Sequence, residues 1–308
     1  MRKVLILIVL VIPTLLFSQR RNRYKWEFVG GVGIDNLFSS LGGSPDIGSH
    51  GIVGIKDWNI PGTRPGINFG VRYKNSKHFA FKSTATFAWL YANDNLSTNF
   101  VRNNRNLNVR TPIFELSAQI EYYPFKEKQT RLLYRVKKAM GKHRLHLAQF
   151  QPYLFVGIGG FYFNPQGYNA NYGGWVNLAP LHTEGQGLPG GPAPYSQVAV
   201  SFPVGFGLKY PVNRRLSIGL EVAVHFTTSS YIDDAGGNYY NPADFIKYEG
   251  PKLGAESAAF ADPSLDGGKS GNSAPGQERA SAHKDAFMTA MITVNYKIHT
   301  RRRVRTKF

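Results

Sequence analysis

The sequence predicts an all-β fold, an eight-stranded antiparallel β-barrel that crosses a membrane. Three observations predict it: an export signal that no second apolar run follows, eight segments in which apolar and polar residues alternate, and connections that alternate between long and short. A strand that spans a membrane shows one face to lipid and the other to the barrel interior, and barrels of this kind have long loops at one end and short turns at the other.

The N-terminus has the composition of a secretory signal peptide. Arg2 and Lys3 form a basic start, residues 4–17 are almost entirely apolar, and Ser18 is small. We expect residues 1–18 to be cleaved off, with an uncleaved anchor as the alternative. No other segment reaches the roughly 18 consecutive apolar residues that a spanning helix needs. Because the chain has no cysteine, we expect no disulfide, thiolate metal site or lipid-anchored cysteine.

Eight later segments show the two-residue period of strands. In the clearest, residues 215–229, Leu216, Leu220 and Val224 share an apolar face, while Glu221 lies on the opposite face. A strand keeps one face apolar over so many positions only where a large apolar surface meets it. The segment 152–164 is apolar on both faces, so its orientation stays open. The eight segments are residues 26–34, 67–73, 79–91, 114–122, 152–164, 202–208, 215–229 and 288–296.

The connections separate a membrane barrel from a soluble β-sandwich, which would show the same alternation. Short turns at 74–77 and 211–214 alternate with long connections, and tyrosines and tryptophans collect at strand ends, as in an aromatic girdle. We therefore expect a barrel over residues 19–298, with the N- and C-termini in the periplasm and a basic tail at 299–308. The predicted outer loops are residues 35–62, 92–109, 165–197 and 230–284.

The inward face carries equal numbers of acids and bases. An eight-stranded barrel is just wide enough for side chains to fill, and buried charges must pair. The balance predicts a lumen plugged by salt bridges, not a pore. The predicted lumen network comprises Glu27, Arg72, Lys82, Glu115, Glu121, Lys209, Glu221 and Lys297.

Most of the net charge of +18 lies in the predicted periplasmic elements. The export signal argues against nucleic acid as the partner. Residues 132–140, the only stretch that looks helical, place apolar residues at helical spacing between basic ones, as in segments that dock on a membrane surface or a protein. An acidic periplasmic partner and a solvated cluster that touches anionic lipid both remain open. The candidate partner-binding residues are Lys126, Lys128, Arg131, Arg135, Lys137, Lys138, Lys142, Arg144, Arg301, Arg302 and Arg303.

Candidate catalytic residues are few and unspecific. His225, Thr227 and Ser229 share one strand face, but a lone histidine is more often a satisfied lumen residue, because catalysis needs a nucleophile, a base and an orienting group together. Residues 233–240 could bind a cation, although a tight turn is favoured. The glycines of residues 156–160 lie within a strand and do not precede a helix, so they form no phosphate-binding loop. We expect no enzyme activity, metal or cofactor.

Several motifs carry a family resemblance, above all PLHTEGQG at 180–187 and SYIDDAGGNYY at 230–240, with GGVGIDNLFSSLGG at 30–43 and TRPGINFGVRY at 63–73. With these segments the mature chain resembles the PorG-like outer-membrane barrels of the type IX (Por) secretion and gliding system. The resemblance implies an OmpA/OmpX-like barrel without enzyme activity, which associates with a periplasmic ring built from a lipoprotein and its partner. The chain departs from the family in its Arg-rich tail after Ile298 and in residues 165–197 and 230–284. Low-complexity stretches there, above all 255–282, are expected to be flexible insertions.

Three functions follow as hypotheses. The first is a non-enzymatic outer-membrane barrel that anchors or stabilises a type IX secretion complex through its basic periplasmic face. The second is a structural or adhesive barrel that binds surface ligands through its long outer loops. The third, an outer-membrane enzyme, has the weakest basis.

Overall fold

The computed structural model describes residues 25–41, 60–96, 100–125, 150–213, 215–267, 269, 273–280 and 283–298. Three predicted segments lie outside these residues: the signal peptide 1–18, residues 126–149 of the basic segment, and the basic tail 299–308. All candidate partner-binding residues lie in the last two. The predictions about them stay predictions.

Eight antiparallel strands close into a barrel, which confirms the predicted fold class. The barrel strands are β1 (Trp26–Phe38), β2 (Arg64–Lys74), β3 (Phe79–Asn93), β4 (Asn108–Tyr122), β5 (Gln151–Phe163), β8 (Val198–Pro211), β9 (Leu216–Thr227) and β10 (Ala286–Ile298), and the short strands β6 (Gln166–Asn169) and β7 (Gly174–Asn177) lie in a loop outside the ring. Each barrel strand pairs with its neighbour around the ring, and β3 pairs with β4 along its whole length, from Phe79 opposite Tyr122 to Asn93 opposite Asn108. The ring is completed by β1 and β10, which pair from Trp26 opposite Ile298.

The outer wall of the barrel is apolar and its interior is polar. Phe69 on β2 is 64% exposed, whereas Arg72, on the opposite face of the same strand, is 0% exposed. Aromatic pairs mark the end with the short turns, where Trp26 lies 4.8 Å from Tyr73 between ring centroids. Only lipid can cover such a wall, since water would leave dozens of large apolar side chains exposed. The surface is therefore that of an outer-membrane barrel.

The orientation of β5, which its composition leaves open, is decided by the space inside the barrel. Tyr153 and Phe161 point inward and are 1% exposed, while Leu154 points outward and is 59% exposed. Tyr153 lies opposite Gly207 on β8, and a β-carbon at Gly207 would lie 2.2 Å from the Tyr153 ring. A large inward side chain on one strand thus occupies the room that a glycine on its neighbour leaves.

The outer loops fold over the barrel mouth into an ordered structure, which we call the outer cap (the described residues of 39–63, 94–107, 164–197 and 228–285). It shares one apolar core with the outer half of the barrel, including Leu90, Phe163, Ile232, Phe260 and Phe287. Its regular elements are β6 (Gln166–Asn169), β7 (Gly174–Asn177), α1 (Phe100–Arg105), α2 (Pro242–Glu249), α3 (Pro251–Ala261) and short 3-10 turns at Ile60–Gly62, Asp94–Leu96, Ala170–Tyr172 and Ala179–Leu181.

The helix α3 corrects the expectation that the low-complexity stretch from residue 255 is flexible, because its first residues are helical. Together, α2 and α3 also correct the expectation that residues 132–140 are the only helical stretch. The Asn241 side chain accepts a hydrogen bond from the Ala243 amide (3.1 Å) and so caps α2, and a proline opens each helix. Phe260 on α3 is 5% exposed because it packs into the cap core. Tertiary burial therefore orders a sequence whose composition alone resembles a linker. Among the described residues, no helix is long and apolar enough to cross a membrane.

Replacing Gly207 by alanine is expected to destabilise the barrel by about 1–3 kcal/mol, because the new methyl group would overlap the Tyr153 ring in a filled interior. Gly160 on β5 is the matched control, since nothing lies within 4 Å of the position of its β-carbon. Urea unfolding in detergent micelles, followed by the gel shift of the folded barrel, measures both. Equal midpoints for Gly207→Ala and Gly160→Ala would contradict this packing.

Candidate functional site

Arg72 is the centre of the charged lumen. Strand β2 places its guanidinium on the barrel axis, where three carboxylates from three other strands converge on it. Its Nε lies 2.6 Å from Glu121, its Nη1 3.1 Å from Glu27 and its Nη2 3.0 Å from Glu221. All four side chains are at most 6% exposed. One planar cation therefore joins four strands across the lumen, with the forked geometry that arginine provides and lysine does not.

Three lysines pair with the same carboxylates. Lys82 lies 2.7 Å from Glu221, Lys74 lies 2.9 Å from Glu27, and Lys209 also contacts Glu27. Each carboxylate thus meets more than one cation, which offsets the several kcal/mol that burial of an unpaired ion costs. Lys74 was predicted to lie in a turn, but β2 extends far enough to bring it into the lumen, where it is 9% exposed.

Three neutral residues, Tyr123, Asn295 and Tyr153, also contact the charged residues of the lumen, and none of them was predicted to belong to the lumen network. The Tyr123 hydroxyl donates to Glu121 at 2.8 Å, and the Asn295 amide oxygen accepts from Arg72 at 2.5 Å. The Tyr153 ring stacks on Tyr123 with 5.0 Å between centroids. The inward parity of Asn295 on β10 was visible in the sequence. The inward position of Tyr153 was not, because β5 is apolar on both faces.

Glu115 corrects the predicted lumen network. All eight predicted lumen residues are buried, and Lys297 lies opposite Glu27 on the neighbouring strand. Glu115, however, lies in the outer half of the barrel, where its partner is not a lysine or arginine but the His225 ring, with Nδ1 at 2.9 Å. The charged residues that pair in the inner half of the barrel therefore differ from the predicted four acids and four bases. They include Lys74, which was not predicted, and they do not include Glu115.

His225 is held on every side. Its Nδ1 lies 2.9 Å from Glu115, its Nε2 lies 3.3 Å from the Thr289 hydroxyl, and its ring stacks on Phe287 with 4.3 Å between centroids. His225 is 2% exposed and Thr289 is 5% exposed. Of its predicted strand partners, Thr227 donates instead to the Asp285 carbonyl at 2.7 Å. These contacts fill the outer half of the barrel interior and give the polar groups around His225 hydrogen-bond partners.

The two motifs that carry the PorG-like resemblance meet in the outer cap at Arg279. Its Nη1 lies 3.2 Å from Glu184 in the first motif and donates to the Asp234 carbonyl in the second at 2.7 Å. The same Glu184 oxygen accepts from the Gly236 and Gly237 amides at 3.0 and 3.1 Å. A buried ion pair thus fixes two loops that are about fifty residues apart in the chain.

Arg105 joins the other loops to this centre. It holds Asp94 with two hydrogen bonds of 2.7 and 2.9 Å, and it donates to the carbonyls of Arg279 (2.7 Å) and Ser40 (3.1 Å). All four outer loops are therefore linked through two arginines. This arrangement explains how a cap built largely of irregular backbone holds one conformation.

A tight turn spans residues 231–234 and leads into residues 233–240. The Asp234 amide donates to the Tyr231 carbonyl at 3.1 Å, with Asp234 in the left-handed region at φ 59°. Among the described residues no group of acids and histidines could hold a metal ion. Burial raises the pKa of Asp233 to about 7 and that of Asp234 to about 6. Burial, together with the charge of Asp233, raises the pKa of Asp285 well above its usual range.

No protein-family model matches the sequence, and no curated protein matches it. Among solved structures, the outer membrane protein OprG from Pseudomonas aeruginosa is similar at a TM-score of 0.37 and 10% identity, over 91% of this chain and 99% of that one. Ail, the attachment invasion locus protein of Yersinia pestis, solved with the heparin analogue sucrose octasulfate, gives 0.36 and 9%, over 90% and 100%. Outer Membrane Protein W of E. coli gives 0.34 and 14%, over 90% and 100%. These scores are too low to carry an argument, so the fold assignment rests on the strand pairing and surface of the barrel itself.

Replacing Arg72 by methionine is expected to lower the free energy of unfolding by about 3–5 kcal/mol, because the buried carboxylates of Glu27, Glu121 and Glu221 would lose the cation that they share. Lys77→Met, in the exposed turn at the end with the short connections, removes the same charge without burying any. Urea unfolding of the two variants measures the difference. If Arg72→Met lowered the free energy of unfolding no more than Lys77→Met does, the ion pairs of Arg72 would not be needed for stability.

The outer cap is expected to loosen as the pH rises from about 4 to about 7. The folded cap keeps protons on Asp233, Asp234 and Asp285 that an open cap releases near the ordinary pKa of 3.8, so the stability of the cap falls through this window. Hydrogen exchange of the cap amides, corrected for the intrinsic effect of pH, measures it.

Asp285→Asn should flatten this dependence, because an amide removes one of these three buried carboxyl groups of the cap, while its oxygen can still accept the 2.9 Å bond from the Ile232 amide. Glu278→Gln, at an exposed acid of the same cap, is the control and should leave the dependence unchanged. An unchanged pH dependence in Asp285→Asn would refute this explanation.

Proposed function

We propose that the protein is a non-catalytic outer-membrane barrel that anchors or stabilises a type IX secretion complex through its basic periplasmic face. One observation carries the proposal: the three most basic segments of the sequence attach to the same end of a closed barrel. The N-terminal arm and the tail flank the pair Trp26–Ile298, and the segment 126–150 connects Tyr122 to Gln151 at that end. Together they contribute 17 of the 37 lysines and arginines.

The filled lumen supports an anchor over a conduit. Arg72, Tyr153 and Lys209 occupy the inner half of the barrel, and Phe161 and Phe287 occupy the outer half, all with 2% exposure or less. A barrel that is plugged by its own side chains offers a fixed surface in the membrane. The PorG-like resemblance suggests what binds that surface, a periplasmic ring built from a lipoprotein and its partner.

The outer cap favours a second candidate, a structural or adhesive role at the cell surface. The cap is folded around its own core, yet it leaves large apolar side chains in water, with Phe100 at 79% and Leu265 at 64% exposure. Such exposed apolar groups on an ordered surface are typical of interaction sites.

A detergent pull-down of the tagged protein from its native outer membrane tests the proposal. The wild type is expected to recover a periplasmic ring or lipoprotein subunit at low salt and to lose it at high salt, because exposed charges are screened. Neutralising the eight bases between Lys126 and Arg144 should abolish recovery. The control neutralises the exposed lysines 247 and 252 of the outer cap and should retain it.

A folded barrel that purifies alone at low salt would refute the anchoring role. Loss of surface binding on removal of residues 242–261, with recovery of the periplasmic subunit unchanged, would instead assign the function to the cap.

A further inference from the structure

Two arginines lie at the outer rim of the barrel, next to a tyrosine of its lipid-facing wall. Arg110, near the start of β4, lies opposite Tyr91 on the outward face of β3. Arg64, the first residue of β2, reaches over the same ring, with its guanidinium carbon 4.1 Å from the Tyr91 centroid. We call Arg64, Tyr91, Arg110, Tyr168 and Trp175 the rim cluster.

Aromatic rings hold both guanidinium groups in place. The guanidinium carbon of Arg110 lies 4.4 Å from the Trp175 centroid, and Trp175 lies edge-on to Tyr91 at 6.4 Å and to Tyr168 at 5.5 Å. The Nε of Arg110 also donates to Gln166 at 2.7 Å. Because stacking and hydrogen bonds orient these groups in advance, a ligand that binds them loses less side-chain entropy.

The rim cluster carries positive charge without a counterion. In the part of the chain that the structure describes, Arg72, Arg105 and Arg279 each form ion pairs, but no carboxylate lies within ion-pair distance of Arg64 or Arg110. The Nη1 of Arg64 already donates to the carbonyls of Pro61 (3.0 Å) and Thr63 (2.9 Å). The remaining N–H donors of the two side chains are available to an anion from outside the chain. Guanidinium groups bind phosphate in a forked geometry.

An apolar surface lies directly below the cluster on the membrane side. Phe87 and Phe114 are cross-strand partners with ring centroids 5.9 Å apart, and Trp89 lies 5.2 Å from Phe87. All three are 38–43% exposed on the barrel wall. From the membrane outward, the wall thus presents an apolar strip, an aromatic belt and then two cations.

We propose that the rim cluster binds a phosphorylated lipid of the outer leaflet. A headgroup phosphate lies against Arg64 and Arg110, and the acyl chains lie along Phe87, Trp89 and Phe114. The order of the surface matches that of an anionic amphiphile, with hydrocarbon in the membrane and phosphate at the interface. This site is independent of the periplasmic face and of any secretion role.

Lipid A binding to the folded, detergent-solubilised full-length protein, measured by native mass spectrometry, tests the proposal. Arg64→Gln/Arg110→Gln is expected to weaken binding roughly tenfold or more, since each base near a lipid surface contributes to attraction. Lys77→Gln/Lys252→Gln removes the same charge from two exposed lysines away from the rim and should leave binding unchanged. Dephosphorylated lipid A should bind the wild type no better than lipid A binds the double variant.

Equal lipid A affinity in the rim variant and the control variant would overturn the proposal. Displacement of lipid A by the same concentration of inorganic phosphate would also overturn it, because the site would then recognise free phosphate and not a lipid. If the double variant does not fold, Trp175→Leu removes the ring under Arg110 from a hairpin outside the barrel. It should weaken lipid A binding severalfold, and an unchanged affinity would again overturn the proposal.

Discussion

The structure depends on the pairing of charge inside a space too narrow for bulk water. A barrel of eight strands leaves only enough room for side chains, so each charged group that points inward must find its counterion there. Arg72 meets this constraint by contacting three carboxylates from three strands, and lysines pair with the same carboxylates. The same contacts close the lumen. The plug is therefore a consequence of folding charged strands into a small barrel, and it excludes a wide passage as the basis of function.

The two ends of the barrel solve different problems. At the outer end, long loops fold over the mouth and are held by two buried arginines, Arg105 and Arg279, which bind carboxylates and backbone carbonyls from separate loops. The other end carries the short turns, and the three basic segments of the sequence connect to the strands there. The two ends thus differ in chemistry, with a folded cap at one and most of the positive charge of the sequence attached to the other.

The barrel wall adds a third surface. Most of it is uniformly apolar, as lipid requires, but one sector of the outer rim carries Arg64 and Arg110 on aromatic rings. Elsewhere in the described chain, buried guanidinium groups serve the fold through ion pairs. At the rim, the guanidinium groups of Arg64 and Arg110 lie instead on aromatic rings, with no carboxylate partner among the described residues. The same side-chain chemistry thus stabilises the interior and prepares the surface for an anionic ligand.

The amino-acid sequence by itself determined the barrel. Alternation set the strands and the faces of all but one, and the unequal connections separated a membrane barrel from a sandwich, because these patterns reflect local geometry and the solvent on each side. Inward parity also located Arg72 and Glu221. Only the tertiary structure decided which way β5 faces, that Glu115 pairs with His225, and that residues 251–261 form a packed helix. Each of these features depends on contacts between residues that are distant in the chain, and such contacts produce no periodic pattern in the local sequence.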